Sequence, residues 1–154
     1  MSEIIAPGTP VPSFVLKDAD GEDFTEASIA GQTAVLVFFP FAFSPVCTDQ
    51  FQVYEEVLDE FTSQGATLYG VSTDPLPAQA AFREKLGVSI PFLSDFEPKC
   101  AASRAFGAYF EPGGMTNRAI VIVADGVVQF SWLGENPGVM PGANVIFDGL
   151  AARA

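Results

Sequence analysis

The run AVLVFF at residues 34–39 restricts the fold more than any other segment. An unbroken apolar stretch this short, too brief for a buried helix, reads as a central strand covered on both faces. Pro40 has no amide hydrogen and should end the strand's pairing. Ser44-Pro45 then marks a helix start, because the serine hydroxyl can cap a free amide and proline at the first helical position gives up nothing. A doubly covered strand, a short irregular turn and a helix open a βα unit, so helices must pack on a sheet.

The rest of the chain supplies matching parts. Residues 1–13 are rich in Pro and Gly and read as an irregular lead-in, and SFVLKDADGEDFT gives two short strands turning at Asp20-Gly21. From Val46 the apolar spacing becomes helical, with Phe51, Tyr54, Leu58 and Phe61 on one stripe and Gly65 beyond its end. ATLYGVST at 66–73 is the next strand. Residues 77–86 form a helix stopped by Gly87, 90–93 a short strand, and 98–106 another helix. AIVIVADGVVQFSWL at 119–133 is a hairpin turning at Asp125-Gly126, followed by the loop NPGVMPGAN and a last helix over 145–152. This order predicts one domain over residues 1–154, of α/β class, with a central mixed β-sheet flanked by helices in a thioredoxin-like layering.

Composition excludes several functions. Nineteen acidic against seven basic residues give a net charge of -12, a surface that repels phosphate backbones and anionic lipid, so neither nucleic acid nor membrane is an expected partner. The N-terminal sequence lacks an export pattern and no run reaches the roughly 18 apolar residues of a span, which predicts a cytoplasmic protein. Histidine is absent, which removes Ser-His-Asp and Cys-His catalysis. Two cysteines are too few for a disulfide scaffold and leave a tetrahedral zinc short of ligands, so no metal or cofactor is expected.

Chemistry concentrates in PFAFSPVC at 40–47. With Ser44 as N-cap, Cys47 is the third residue of the helix, and its sulfur lies among unpaired amides at the positive end of the macrodipole. That position favours the thiolate over the thiol. The turn should also expose Cys47 toward a pocket at the carboxyl edge of the sheet.

PFAFSPVC resembles the active-site motif of the peroxiredoxins, which reads Pro, three residues, Thr or Ser, two residues, Cys. LYGVSTD at 68–74, IPFLSDF at 90–96, FGAYF at 106–110 and Arg118 before AIVIVADG follow in the family's order. The similarity is greatest to the AhpE-like branch and next to the bacterioferritin-comigratory or PrxQ branch. It implies a thioredoxin-like fold with peroxiredoxin additions, and a thiol-dependent peroxidase acting on hydrogen peroxide and organic hydroperoxides. In this resemblance Cys47 attacks the terminal peroxide oxygen and becomes a sulfenic acid. Ser44 hydrogen-bonds the reacting oxygens, Pro40 shields the sulfur and Arg118 holds sulfur and peroxide together. Ser44 stands where threonine is commoner. Gln50, one helical turn beyond Cys47, either holds Arg118 in place or is an ordinary solvated glutamine.

Return of the sulfenic acid to thiol has two readings. The PrxQ type with a second cysteine five residues on would need it at Gln52. Cys100, placed by the spacing in the helix over 98–106, is the internal candidate for a resolving thiol. The other reading is an external thiol: mycoredoxin, glutaredoxin, thioredoxin or a low-molecular-weight thiol. The resemblance also implies a homodimer, with PFAF, the 136–144 loop and exposed aromatics such as Phe110 as interface material. Two rival functions for such a domain are thiol-disulfide exchange, which normally needs CxxC although residue 50 is glutamine, and a non-enzymatic binding or holdase role.

Overall fold

The computed structural model describes residues 3–152. Strand β1 (Val15–Lys17) turns back into β2 (Asp23–Thr25), and a short 3-10 turn (Glu26–Ile29) leads to β3 (Thr33–Phe38). Helix α1 (Pro45–Glu56), α2 (Leu58–Ser63), β4 (Ala66–Ser72), α3 (Leu76–Leu86) and β5 (Phe92–Ser94) follow. Next come α4 (Ala101–Phe106), a small ribbon of β6 (Tyr109–Phe110) and β7 (Met115–Thr116), and the hairpin β8 (Ala119–Ala124) and β9 (Val127–Leu133). Helix α5 (Ala143–Ala152) closes the described chain.

The main sheet has seven strands in the order β2-β1-β5-β4-β3-β8-β9. Strands β3, β4 and β5 are parallel, while β8 lies antiparallel against β3 with Phe38 opposite Ala119. The hairpin turn needs left-handed backbone at both central residues, and Asp125 and Gly126 supply it with φ of 54° and 75°. The lead-in is less loose than its composition suggests. The amides of Gly8 and Val11 donate to Val128 and Gly126, and Val128 returns a bond to Thr9, so this segment covers part of the outer edge of β9.

Alternation along β3 divides the core. Val35, Val37 and Phe39 face a layer with Phe51, Tyr54, Phe61, Phe82, Phe92, Ile120, Ile146 and Leu150. Ala34, Leu36 and Phe38 face Phe14, Leu16, Ile29, Phe106, Val121 and Val123 on the other side. Gly70 in β4 is demanded by packing: a Cβ there would stand 2.6 Å from the Phe92 ring.

Two predicted helices differ. The stripe from Val46 to Phe61 is divided at Val57, whose angles (φ -115°, ψ 17°) are not helical and whose amide turns tightly back to Tyr54 and Glu55. The helix predicted over 98–106 begins at Ala101. Cys100 lies outside it as the N-cap, in left-handed backbone at φ 55°, with its amide donating to Asp95 O.

Candidate active site

The parallel pairing of β3 with β4 puts the loops at their carboxyl ends side by side. Asp74, in the turn after β4, accepts the Ala42 amide at 2.8 Å and the Ser72 hydroxyl at 2.7 Å, and so ties the 40–44 loop to the neighbouring βα turn. Within that loop Phe43 holds φ at 68°, a left-handed conformation unfavourable for an aromatic residue, and sets its ring against Phe82 with centroids 5.2 Å apart. Ser44 follows as the helix N-cap, and its Oγ accepts the Cys47 amide at 3.2 Å.

Arg118 enters from the strand side. It immediately precedes β8 and shares its face with Ile120 and Ile122, toward α1. Its Nη2 donates to Cys47 Sγ at 2.9 Å and stands 3.5 Å from Ser44 Oγ; its Nη1 donates to Gln50 Oε1 at 2.6 Å. Its Nε donates to the Pro137 carbonyl, also at 2.6 Å. A guanidinium has donors and no acceptor, so in this geometry the sulfur is the acceptor.

A second tier stands behind. Gln50 Nε2 donates to Tyr54 Oη at 3.1 Å, and the Tyr54 hydroxyl donates to the Pro141 carbonyl at 2.6 Å. Burial pushes the Tyr54 phenol well above its ordinary value, against the opposing Gln50 hydrogen bond and Arg118 charge, so the O–H is retained throughout the physiological range. Two carbonyls of one loop, at Pro137 and Pro141, thereby anchor the site.

Cys47, Ser44, Gln50 and Arg118 are therefore brought together. Pro40 is buried at the root of their loop, just beyond β3. Cys47 was expected to open toward a pocket, but its exposure is 0%, because Arg118, only 1% exposed, lies against the sulfur. Gln50 is likewise buried at 0% and is no solvated glutamine. Phe110, expected among the exposed aromatics, is half-buried.

Cys100 shares no hydrogen bond with this group among the described residues. Its buried sulfur is a free thiol 3.9 Å from Thr116 Oγ1, which meets Ser103 Oγ at 2.8 Å. Ser103 in turn donates its hydroxyl and amide to Asp95, which also accepts the Ala102 amide. Sequence reasoning missed Tyr54 as a polar partner, along with Asp74 and the two loop carbonyls. A phenol on an otherwise apolar stripe was the available signal, since a buried Tyr hydroxyl requires a partner.

The AhpC/TSA family profile matches residues 7–131. Alkyl hydroperoxide reductase E of Mycobacterium tuberculosis (strain ATCC 25618 / H37Rv) is 31% identical over 147 residues, covering 94% of this chain and 95% of the relative. Chloroplastic peroxiredoxin Q of Suaeda salsa is 31% identical over 130 residues, covering 81% of this chain and 58% of the relative. Among solved structures, Enterococcus faecalis AhpC shares the fold with a TM-score of 0.85 at 24% identity, covering 99% of this chain and 92% of that one. The chain belongs to the AhpC/TSA family, as a peroxiredoxin of the AhpE and PrxQ type.

Proposed function

We propose that this protein is a thiol-dependent peroxidase that reduces hydrogen peroxide and organic hydroperoxides at Cys47. The observation that carries this reading is the 2.9 Å hydrogen bond from Arg118 Nη2 to Cys47 Sγ at the first turn of α1. The sulfur attacks the terminal peroxide oxygen, the O–O bond breaks, and the leaving oxygen departs as water or alcohol after taking up a proton. Cys47 becomes a sulfenic acid. Arg118 cannot act as a base, but its fixed fork can stabilise charge that spreads from sulfur over two oxygens, without reorganising.

Ser44 supplies the second polar contact. Its oxygen already accepts the Cys47 amide, and its O–H is available to the peroxide. Pro40, buried at the root of the loop, keeps water from the sulfur. Since the sulfur is fully buried, entry of substrate requires the 41–44 loop to shift, and Phe41 and Phe43 there are 43% and 48% exposed. Gln50 holds the far side of the guanidinium.

An external thiol, of the mycoredoxin, glutaredoxin, thioredoxin or low-molecular-weight kind, returns the sulfenic acid to the thiol. The position of Cys100 against Thr116 supports this over internal resolution. One equivalent of peroxide should leave an oxygen adduct on Cys47 with Cys100 still free by intact mass and thiol titration. Loss of two hydrogens with both thiols gone would favour the internal route instead. We assign the protein to the reducing cytoplasm, which suits two free thiols, and to a homodimer using the exposed apolar residues beside the site.

Stopped-flow oxidation by hydrogen peroxide and an organic hydroperoxide tests the central reading. The parent should react rapidly, C47S not at all, and R118A slower by about 100-fold or more. An R118A protein as fast as the parent would remove the arginine from this mechanism.

A further inference from the structure

We propose that Tyr54 is a positioning residue that decides which end of the Gln50 amide faces Arg118. The inference rests on the reading of Cys47 and Arg118 as the peroxide site. The two ends of a glutamine amide are nearly equal in size, so hydrogen bonding alone selects between them. Arg118 Nη1 is a donor and needs the oxygen end, which it meets at 2.6 Å. On the opposite side, a tyrosine hydroxyl could either donate to Gln50 or accept from it. The Pro141 carbonyl removes that choice by taking the phenolic hydrogen at 2.6 Å. Only lone pairs then face Gln50, so Nε2 turns toward Tyr54 at 3.1 Å and Oε1 toward the arginine.

The selection is strict because the group is dry. Tyr54 and Gln50 are 0% exposed and Arg118 is 1% exposed, so solvent does not replace a lost partner. The same loop that orders the amide through Pro141 also grips Arg118 Nε through Pro137. Arg118 is thus held on two sides while Nη2 is aimed at sulfur.

Removing only the hydroxyl, by Tyr54→Phe, leaves Nε2 without an acceptor. Gln50 should rotate or flip, and peroxide oxidation of Cys47 should slow about tenfold. Gln50→Glu separates orientation from packing. A carboxylate presents acceptors at both ends, so it has no wrong way round, and its second oxygen confronts the lone pairs of Tyr54. In the Q50E background the Tyr54→Phe change should therefore cost nothing or accelerate the reaction.

The test is stopped-flow oxidation by hydrogen peroxide of the parent, Y54F, Q50E and Q50E/Y54F, with thermal unfolding of each. A penalty in the parent that vanishes or reverses with Q50E supports the proposal. Y54F as fast as the parent, or an equal penalty in both backgrounds, overturns it and leaves a tyrosine that merely fills space. Should Y54F alone fail to fold, Q50E/Y54F against Q50E decides: an equal or faster rate supports the proposal and a slower one overturns it. A parent that did not react with peroxide would overturn the peroxidase reading and this one with it, whereas the other negative results leave that reading standing.

Discussion

Asp95 sits 3% exposed with both oxygens engaged by Ala102 and Ser103. Burial raises its carboxyl above the ordinary range, and the amides and hydroxyl of its partners, together with Arg104, offset this only in part. A carboxyl whose folded value is raised contributes stability that is complete below its unfolded value, about 3.9, and is lost as pH rises through the folded value. Asp95→Asn cannot ionise and keeps an acceptor for Ala102. The stability of the parent minus that of D95N should therefore decrease as pH rises above about 4, measured by urea unfolding across a pH series. A difference that stays flat or grows would mean that the ionised carboxylate is favoured where it lies. The same side chain fixes Ser103, which meets Thr116, so the effect also bears on the surroundings of Cys100.

Between elements, the tie that matters is Asp74 holding the loop after β3 to the turn after β4. Asp74→Ala leaves the Ala42 amide and the Ser72 hydroxyl without that carboxylate. We expect a loss of about 1–3 kcal/mol in urea unfolding, together with slower oxidation of Cys47, because the loop that begins α1 loses its anchor. Unfolding unchanged within error would show the tie to be idle. Most elements were legible because their signals are local: the apolar run of β3, the Ser44-Pro45 start of α1, Gly87 after α3, and Asp125-Gly126 between β8 and β9. The break at Val57 and the left-handed Cys100 were not, since neither residue type asks for those angles and only tertiary contacts supply them. Within the site, Cys47 and Ser44 could be read from three residues of spacing, and Arg118 only through resemblance. The Tyr54–Pro141 contact joins positions 87 apart and left no periodic trace.

Across the whole molecule, charge is lopsided. A net -12 on 154 residues is self-repelling, and the ion pair found among the described residues, Lys17 with Asp23, is half exposed and offers little for salt to weaken. Raising sodium chloride from about 10 mM to about 150 mM shortens the screening length from about 30 Å to about 8 Å. The melting temperature should rise across that range, and a fall would show that attractive pairs dominate. The site is also assembled from distant parts of the chain: Cys47 lies 71 positions ahead of its guanidinium partner, and the loop carbonyls come later still. On a ribosome adding about 5–20 residues per second, the cysteine waits roughly 4–14 s for the arginine even to be synthesised. Throughout that interval the nascent thiol lacks the guanidinium that meets it and the loop carbonyls that hold the group behind. The growing chain thus carries an unfinished centre, and the enzyme comes into being only when the last third of its sequence arrives.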